Sequence, residues 1–204
     1  KPERIIASDP KPEQGAALHK QFQIRTVTDN AVLAAECDVL LLAVKPQVMY
    51  AVLDTVKPMI DDDTLVISVA AGKTLGYFEE RLGALPIVRT IPNTPAMIGR
   101  GMIGAFGNDQ VTAAGRAVAD TLLSAVGQVE WVEKEADIDA VTAVSGSGPA
   151  YAFYLVECMA EAGRKLGLDP DLAMRLARGT VIGAGALLVL SAAAVIVALL
   201  LGAG

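Results

Sequence analysis

Residues 38–44 read DVLLLAV, a continuous apolar run of strand length that stops at Lys45 and Pro46. A run without polar alternation is typical of a strand that is covered on both faces, as strands of parallel sheets are. Pro46 suits the first turn of a helix, so we expect a helix to begin there. These residues predict a strand followed by a helix within a parallel sheet.

The same arrangement recurs on both sides of this run. Further strands are predicted at residues 4–8, 24–27, 64–69, 86–91, 102–106 and 128–132. Helices are predicted at residues 10–20, from Asp29 or Asn30 toward Cys37, and at residues 111–126. Residues 92–95 (PNTP) contain two prolines and predict an extended turn rather than a helix start. The alternation of strands and helices predicts an α/β fold with a mostly parallel sheet.

From residue 135 the sequence becomes helical, with one interruption at residues 145–149 (the SGSGP segment), where we expect the chain to turn and a new helix to begin near Pro149. Apolar residues then recur at spacings of four and three, which indicates a core or interface stripe. This stripe comprises Tyr151, Leu155, Met159, Ala162 and Leu166. Gly167 is predicted to end this helix and Pro170 to open another. The predicted organisation is a sheet domain over residues 1–134 and a helical domain over residues 135–204.

Charge and reactive side chains argue against several classes of function. The net charge is −6 and the basic residues are scattered, whereas nucleic-acid binding requires a clustered positive field. Cys37 and Cys158 form no CxxC pair, and we interpret both as core or near-core residues of a cytoplasmic protein. His19 is the single histidine, so no metal site or catalytic pair is predicted, and we expect it on the surface.

Four segments, in this order, resemble the pyrroline-5-carboxylate reductase family: AVKP at 43–46, SVAAG at 68–72, PNTP at 92–95 and VTAVSGSGPAY at 141–151. The similarity covers about residues 4–185. It implies a Rossmann-like, mostly parallel sheet domain followed by an all-α oligomerisation domain. It also implies a homo-oligomeric oxidoreductase that reduces 1-pyrroline-5-carboxylate to L-proline with NADPH or NADH.

The resemblance implies a cofactor site at the ends of three strands. In an open parallel sheet, ligands bind beyond the carboxyl ends of the strands, which is where the first three motifs lie. The cofactor-binding residues implied there are Ala43, Val44, Lys45, Pro46, Ala70, Ala71, Gly72 and Asn93. Apolar walls with a few backbone partners suit a nicotinamide ring. The alternative for each motif alone is that its Gly or Pro residues only form a turn at a strand end.

Ser8 and Asp9 lie where the resemblance expects ribose recognition. An acidic side chain accepts a hydrogen bond from a 2′-hydroxyl and repels a 2′-phosphate, which favours NADH, whereas Lys11 opposes that preference. Asp9 is also a candidate turn former, and Asn30 is first a helix cap and second an adenosine contact. The cofactor stays open between NADPH and NADH.

The SGSGP segment is predicted to bind the substrate through Ser145, Gly146, Ser147, Gly148 and Pro149. A helix that restarts here presents unpaired N–H groups and the positive end of its dipole, which suit a carboxylate. A plain helix–helix corner is the alternative. No catalytic residue is assigned, because the family's glycine-rich phosphate loop and its Ser-Pro-Gly-Gly-Thr-Thr segment do not occur in these residues. We therefore expect this chain by itself to be inactive.

Residues 181–204 contain no charged side chain. A helix of this length would be about 36 Å long at ~1.5 Å per residue, which is enough to cross a bilayer. We favour a buried oligomer helix over a membrane span, because no Trp or Tyr marks either end and no positive cluster follows. A stretch that does not belong to the natural gene is the third alternative.

Two other functions fit parts of the pattern. A related two-domain hydroxy-acid dehydrogenase would share the sheet but would carry a lysine early in its first helical segment, whereas Lys165 lies close to the end of its helix at Gly167. A membrane-anchored, non-catalytic nucleotide-binding module would fit the apolar residues 181–204.

Overall fold

The computed structural model describes residues 1–188, and within them the strands form two sheets. Strands β1 (Ile6–Ser8) and β2 (Arg25–Val27) pair in parallel in the smaller sheet. The larger sheet contains, in spatial order, β3 (Val39–Leu42), β4 (Leu65–Ser68), β5 (Ile87–Pro92), β6 (Gly101–Gly107) and β7 (Gly127–Trp131). β3, β4 and β5 are parallel, β6 is antiparallel to β5, and β7 is parallel to β6. The predicted α/β class with a mostly parallel sheet is confirmed.

Helices connect these strands and follow the last of them. Those between strands are α1 (Pro12–Phe22), α2 (Asn30–Ala34), α3 (Met49–Val56), α4 (Leu75–Leu82) and α5 (Ala113–Leu123). After β7 come α6 (Asp137–Val141), a π-helical turn (Thr142–Gly146), α7 (Gly148–Lys165) and α8 (Pro170–Leu188). Every predicted strand and helix is present, with ends that differ from prediction by at most a few residues.

Side-chain caps start three of the connecting helices. Asp29, Thr74 and Thr112 each accept a hydrogen bond from a backbone N–H in the first turn of α2, α4 and α5, respectively. These N–H groups have no acceptor within their own helix, so each cap contributes about 1 kcal/mol. Asp29 is therefore the cap of α2, and Asn30 is its first residue.

Two cores cover the two faces of the larger sheet. Val66 and Ile87 pack with α3 and α4 on one face, whereas Ile67 and Val88 pack with α5 on the other. β4 is buried along its whole length. Two-sided burial, which the apolar runs predict, is therefore confirmed for these central strands.

The apolar run at residues 38–44 is less covered than predicted. β3 lies at one end of the larger sheet within the described residues, and the Leu41 side chain on it is 52% exposed. The prediction that this strand is covered on both faces is wrong for Leu41. An apolar run predicts a strand but not whether the strand lies at the edge or in the centre of a sheet, because both kinds of strand contain the same residue types.

Three local predictions are also wrong. α3 begins at Met49 and not at Pro46. The PNTP residues enter a 3-10 helix (Thr94–Ile98) that carries Pro95 in its first turn, where a missing N–H is tolerated. The break expected over residues 145–149 is shorter than predicted: the π-helical turn continues through Gly146, and only a bend at Ser147 separates it from α7. The restart with Pro149 in the first turn of α7 is confirmed.

The chain divides into two compact units between Gly146 and Ser147. The first contains both sheets together with α6, so the predicted boundary after residue 134 stays a prediction that the structure does not test. In the described part of the second unit, α7 and α8 pack against each other and bury Ala160, Ala173 and Ala177.

Several predictions concern the surface. The predicted stripe on α7 is exposed at Tyr151, Leu155 and Leu166, so its core alternative is wrong for this chain and its interface alternative stays a prediction. Cys37 is partly buried but Cys158 is exposed, which contradicts the near-core placement of Cys158. His19 is exposed, as predicted.

No helix within residues 1–188 is long and apolar enough to cross a membrane. The alternatives considered for residues 181–204 depend on residues 189–204, which lie outside the described residues. Residues 181–188 are the last part of α8.

Candidate functional site

Three of the predicted segments follow neighbouring parallel strands. Residues 43–46 follow β3, residues 69–72 follow β4, and residues 93–95 follow β5. Because these strands run parallel in adjacent positions, their carboxyl ends lie along one edge of the larger sheet, which we call the carboxyl edge. The predicted residues brought together there are Ala43, Val44, Lys45, Pro46, Ala70, Ala71, Gly72 and Asn93.

Two hydrogen bonds, one to the neighbouring strand and one local, hold the segment after β4. The Val69 N–H donates to the Leu42 carbonyl and the Ala70 N–H donates to the Ser68 hydroxyl, both at 3.2 Å. Gly72 has a φ of +72°, and a Cβ built on it would meet no atom within 4 Å. The left-handed conformation favours glycine, and the open space leaves this backbone accessible to a ligand.

Asn93 joins the carboxyl edge to the SGSGP segment. Its Nδ2 donates to the Ser145 carbonyl at 3.0 Å, and its Oδ1 accepts from the Met102 N–H at 2.9 Å. Both ends of the side-chain amide are therefore bound to the protein's own backbone. Asn93 lies at the predicted place, and its side chain holds Ser145 there; a direct contact with the cofactor stays a prediction.

Ser8 and Asp9 end a strand of the smaller sheet, so strand pairing does not bring them to the carboxyl edge. Asp9 Oδ1 accepts from the Lys11 N–H at 2.8 Å, which is the turn-forming role considered for this aspartate. Its other carboxylate oxygen remains able to accept a hydrogen bond from a ribose hydroxyl. Asn30 begins α2, which contacts both β1 and α3.

Two buried hydroxyls among the predicted site residues lack a hydrogen-bond partner within the described part of the chain. They are Ser8 Oγ and Ser145 Oγ. A buried hydroxyl without a partner costs on the order of 1–3 kcal/mol, so such groups in folded proteins are normally satisfied by protein, water or ligand. Both positions thus offer a polar group to a bound molecule.

Sequence reasoning missed Arg89, which lies within β5 and is 4% exposed. Its Nη1 donates to Glu135 Oε1 at 3.0 Å and its Nη2 donates to Asp139 Oδ1 at 3.2 Å. Glu135 Oε1 also accepts from the N–H of Leu75, the first residue of α4, at 2.7 Å. An arginine within a mostly apolar strand was the available signal, because such a charge is buried only when it is paired.

The remaining SGSGP residues belong to the second unit. Ser147 precedes α7 without a side-chain cap, and Gly148 and Pro149 form the first turn of that helix. All three are partly buried. Their predicted contact with the substrate stays a prediction.

Cys37 precedes β3, at the end of the strand opposite the carboxyl edge. Burial raises the pKa of the Cys37 thiol, and the negative charge of Asp38 raises it further, so this thiol stays protonated at neutral pH. Within residues 1–188, no group of three or more His, Cys, Asp or Glu side chains is placed to hold a metal ion.

Two family models match this chain. One is described as pyrroline-5-carboxylate reductase dimerisation and matches residues 135–199; the other is described as NADP oxidoreductase coenzyme F420-dependent and matches residues 1–72. A pyrroline-5-carboxylate reductase from Pseudomonas aeruginosa is 48% identical over 182 residues, which are 89% of this chain and 67% of that relative.

Solved structures agree with these sequence matches. A pyrroline-5-carboxylate reductase from Coxiella burnetii superposes with a TM-score of 0.89 at 36% identity, over 94% of this chain and 72% of the other. Plasmodium falciparum pyrroline carboxylate reductase with NADP bound superposes with a TM-score of 0.81 at 30% identity, over 94% and 70% of the two chains. Sequence identity and fold together show that this chain belongs to the pyrroline-5-carboxylate reductase family.

Proposed function

We propose that this chain forms the cofactor-binding part, and some of the subunit-joining part, of an enzyme that reduces 1-pyrroline-5-carboxylate to L-proline with NADPH or NADH. The observation that carries the proposal is the 3.0 Å hydrogen bond from Asn93 to the Ser145 carbonyl. This bond joins the segment predicted to bind the imine to the edge predicted to bind the cofactor. Family membership supports the reaction, and the bond supports a common location for the two ligands.

The carboxyl edge fits a nicotinamide cofactor. Ala43 and Ala71 expose small apolar side chains, and the backbone at Gly72 is open to solvent. Small side chains and accessible backbone groups allow a flat ring to approach closely. The Plasmodium falciparum relative binds NADP, and the model matching residues 1–72 describes NADP oxidoreductases, which supports the same cofactor class here. When bound, the cofactor supplies the hydride that reduces the C=N bond.

Asp9 and Lys11 set the choice between NADPH and NADH in this proposal. The Asp9 carboxylate repels a 2′-phosphate, whereas the Lys11 ammonium attracts one. Ser8 adds a buried hydroxyl without a partner in the described residues at the same strand end. The two cofactors therefore compete for one ribose site, and their KM values report which charge dominates.

Ser145 is the substrate-binding residue that the structure supports best. Its hydroxyl is buried without a partner in the described residues, while Asn93 fixes its carbonyl. A hydroxyl held in this way can donate to the carboxylate of the imine, and hydrogen bonds to charged groups contribute about 1.5–3 kcal/mol. The protein's task is to hold two flat rings face to face, because a protonated imine is already electrophilic. This requires no proton transfer by a residue of this chain.

The second unit is assigned to subunit association. Large apolar side chains on α7 and α8 are exposed, among them Phe153, Tyr154, Leu176 and Ile182. The match of residues 135–199 to a dimerisation model supports a second copy of this chain as the partner. We extend the proposal to a cytoplasmic homodimer or higher oligomer joined through these helices.

Steady-state kinetics test the proposed reaction. The chain spans 67% of the Pseudomonas aeruginosa relative, so the assay compares the 204-residue chain with the same chain completed by the flanking segments of that relative. Oxidation of NADPH and NADH is followed with 1-pyrroline-5-carboxylate, and reduction of NADP⁺ and NAD⁺ is followed with a 2-hydroxy acid. We expect turnover of the imine only, and only by the completed chain. Turnover of the hydroxy acid in preference to the imine would contradict the proposal.

A serine pair tests the substrate site. In the completed chain, Ser145→Ala is expected to raise the KM for the imine about tenfold or more, because the side chain loses a hydrogen bond to a charged group. Ser124→Ala removes an exposed hydroxyl at the end of α5, outside the residues predicted to bind either ligand, and should change no kinetic constant. Equal KM values for the two variants would remove Ser145 from the site.

A further inference from the structure

We infer that Arg89 is a positioning residue for the proposed imine reduction: its buried guanidinium fixes α6 against β5 and thereby places Ser145 at the carboxyl edge. The inference rests on the proposed function for its kinetic part. Its structural part concerns a network within residues 1–146 and stands without it.

The Arg89 charge is buried at a cost that only its partners offset. The side chain is 4% exposed, and its Nε has no partner within the described residues. The two ion pairs, to Glu135 and Asp139, are therefore what compensates for removing the charge from water. Both carboxylates come from one short segment around the start of α6. The guanidinium therefore holds this segment in place against β5.

Glu135 extends the network to a second element. Its Oε1 accepts from both the Arg89 Nη1 and the Leu75 N–H, and Leu75 opens α4 three residues after Gly72. A carboxylate at a helix N-terminus is further stabilised by the helix dipole. The position of α6 is thus tied to the start of α4, which follows the cofactor segment at residues 69–72.

β5 and the residue after it hold the rest of the segment. Side chains alternate along a strand, so Arg89 and Ile91 point to one face of β5, and Asn93 is the first residue after the strand. Arg89 holds the start of α6, Asn93 holds the Ser145 carbonyl, and a Cβ built on Gly146 would lie 3.8 Å from Ile91. Residues 135–146 are therefore held at both ends, by Arg89 within β5 and by Asn93 directly after it.

β6 sets the depth at which α6 packs. A Cβ built on Gly104 would lie 2.6 Å from Val141 Cγ1, so Val141 occupies the space that a side chain at this position would need. The helix thus sits directly on the sheet, and loosening the contact at Arg89 lets it shift along the strand. Ser145, four residues beyond Val141, would move with it.

The test uses Arg89→Lys and Asp139→Asn, each in the completed chain. Lysine keeps the positive charge but lacks the planar fork that reaches two carboxylates at once. We expect the KM for the imine to rise about tenfold or more in Arg89→Lys, because small displacements of a binding group have effects of this size, while the KM for the cofactor stays within about twofold. The Asp139 side chain is 82% exposed, so Asp139→Asn should fold normally. Its KM for the imine should rise less than in Arg89→Lys, and its KM for the cofactor should again stay within about twofold.

The matched control is Glu36→Gln. Glu36 also forms a two-point ion pair with an arginine, Arg25, but on the surface near the smaller sheet. This variant should leave both KM values unchanged. A rise in the KM for the imine here would show that loss of any ion pair disturbs the enzyme, and would overturn the inference.

Amide hydrogen exchange supplies a readout that does not depend on activity. In the 204-residue chain, Arg89→Lys should speed exchange at residues 142–146 about tenfold or more relative to the parent, with exchange in β3 and β4 unchanged. Uniformly faster exchange, or equal rises in the KM for imine and cofactor, would show a general structural role and overturn the inference. If the parent completed chain fails to reduce the imine, the proposed function fails, while the exchange result still decides the positioning role.

Discussion

The two units of this chain place their large apolar side chains in opposite ways. In residues 1–146, large side chains such as Phe78, Met49 and Leu53 are fully buried against the larger sheet. In the described part of the second unit, the buried residues are Ala160, Ala173 and Ala177, and most of the large side chains are exposed. The first unit therefore has its own hydrophobic core. The second unit instead exposes large apolar side chains of the kind that are normally found in a core.

Small residues explain how α7 and α8 can pair and still bury so little. A Cβ built on Gly163 would lie 3.1 Å from the Ala173 Cβ, so the two helices approach closely through their smallest side chains. Burying an alanine gains much less than the roughly 1.5–3 kcal/mol of a leucine or phenylalanine. The pair has little stability of its own, and the exposed apolar residues are left for the proposed subunit contact.

The largest expected effect comes from a phenylalanine pair. Phe78→Ala removes a fully buried ring and should lower the free energy of unfolding of the first unit by about 3–5 kcal/mol. Phe153→Ala removes a ring that is 63% exposed and should leave that value unchanged while weakening self-association. Trp131 is the single tryptophan and lies on β7, so urea unfolding followed by its fluorescence reports the first unit. Sedimentation at several concentrations reports association.

Two outcomes for Phe153→Ala would contradict these expectations. A lower free energy of unfolding in Phe153→Ala, measured by Trp131 fluorescence, would mean that the stability of the first unit depends on α7 and α8. Unchanged sedimentation in Phe153→Ala would mean that this exposed ring contributes nothing to association.

A glycine pair should give effects of opposite sign. A Cβ built on Gly127 would lie 2.0 Å from the Gly101 carbonyl oxygen, so Gly127→Ala forces β6 and β7 apart and should cost about 1–3 kcal/mol or more. Gly179 lies within α8, and a Cβ there would meet no atom within 4 Å. Gly179→Ala should therefore stabilise α8 by about 0.5–1 kcal/mol.

Two spectroscopic signals separate these glycine variants. Trp131 fluorescence should report the destabilised sheet in Gly127→Ala, and thermal melting followed by far-ultraviolet circular dichroism should report the stabilised helix in Gly179→Ala. If Gly127→Ala unfolds like the parent, the strands have room that the structure does not show.

The sequence predicted the fold well where one local pattern determines one structure. Apolar runs at β4 and β5 correspond to strands buried on both faces, and Gly167 and Pro170 mark a helix end and a helix start as expected. It failed for Leu41, because burial at the end of a sheet depends on which strands pair beside it. It failed for Cys158, because an isolated cysteine indicates a small apolar residue without stating which face of a helix carries it.

The loops of the candidate site could be predicted from the sequence, but the side-chain contacts that hold these loops in place could not. Strand-end motifs located residues 43–46, 69–72 and 93–95, since parallel strands bring their carboxyl ends to one edge. These side-chain contacts join distant residues: Asn93 and Ser145 are 52 apart in sequence, and Arg89 and Asp139 are 50 apart. Local spacing carries no information on such pairs. The π-helical turn before Ser147 was missed because glycine and serine predict a break, whereas i→i+5 hydrogen bonding accommodates both.

The smallest expected effects come from one helix cap in each unit. Asp169 Oδ1 accepts from the Asp171 and Leu172 N–H groups at the start of α8, and Thr112 caps α5 in the first unit. Replacing either by alanine removes a cap worth about 1 kcal/mol. Thr112→Ala should lower the free energy of unfolding seen by Trp131. Asp169→Ala should leave that value unchanged and speed amide exchange in the first turns of α8, because this helix has no large core to hold it.

Asp169→Asn is the matched control, since asparagine caps a helix about as well as aspartate does. It should exchange like the parent if the hydrogen bonds matter, and like Asp169→Ala if the negative charge at the helix N-terminus matters instead. If Asp169→Ala lowers the stability seen by Trp131 as much as Thr112→Ala does, the two units unfold as one. The two units would then differ in which side chains they bury, but they would not be independently stable.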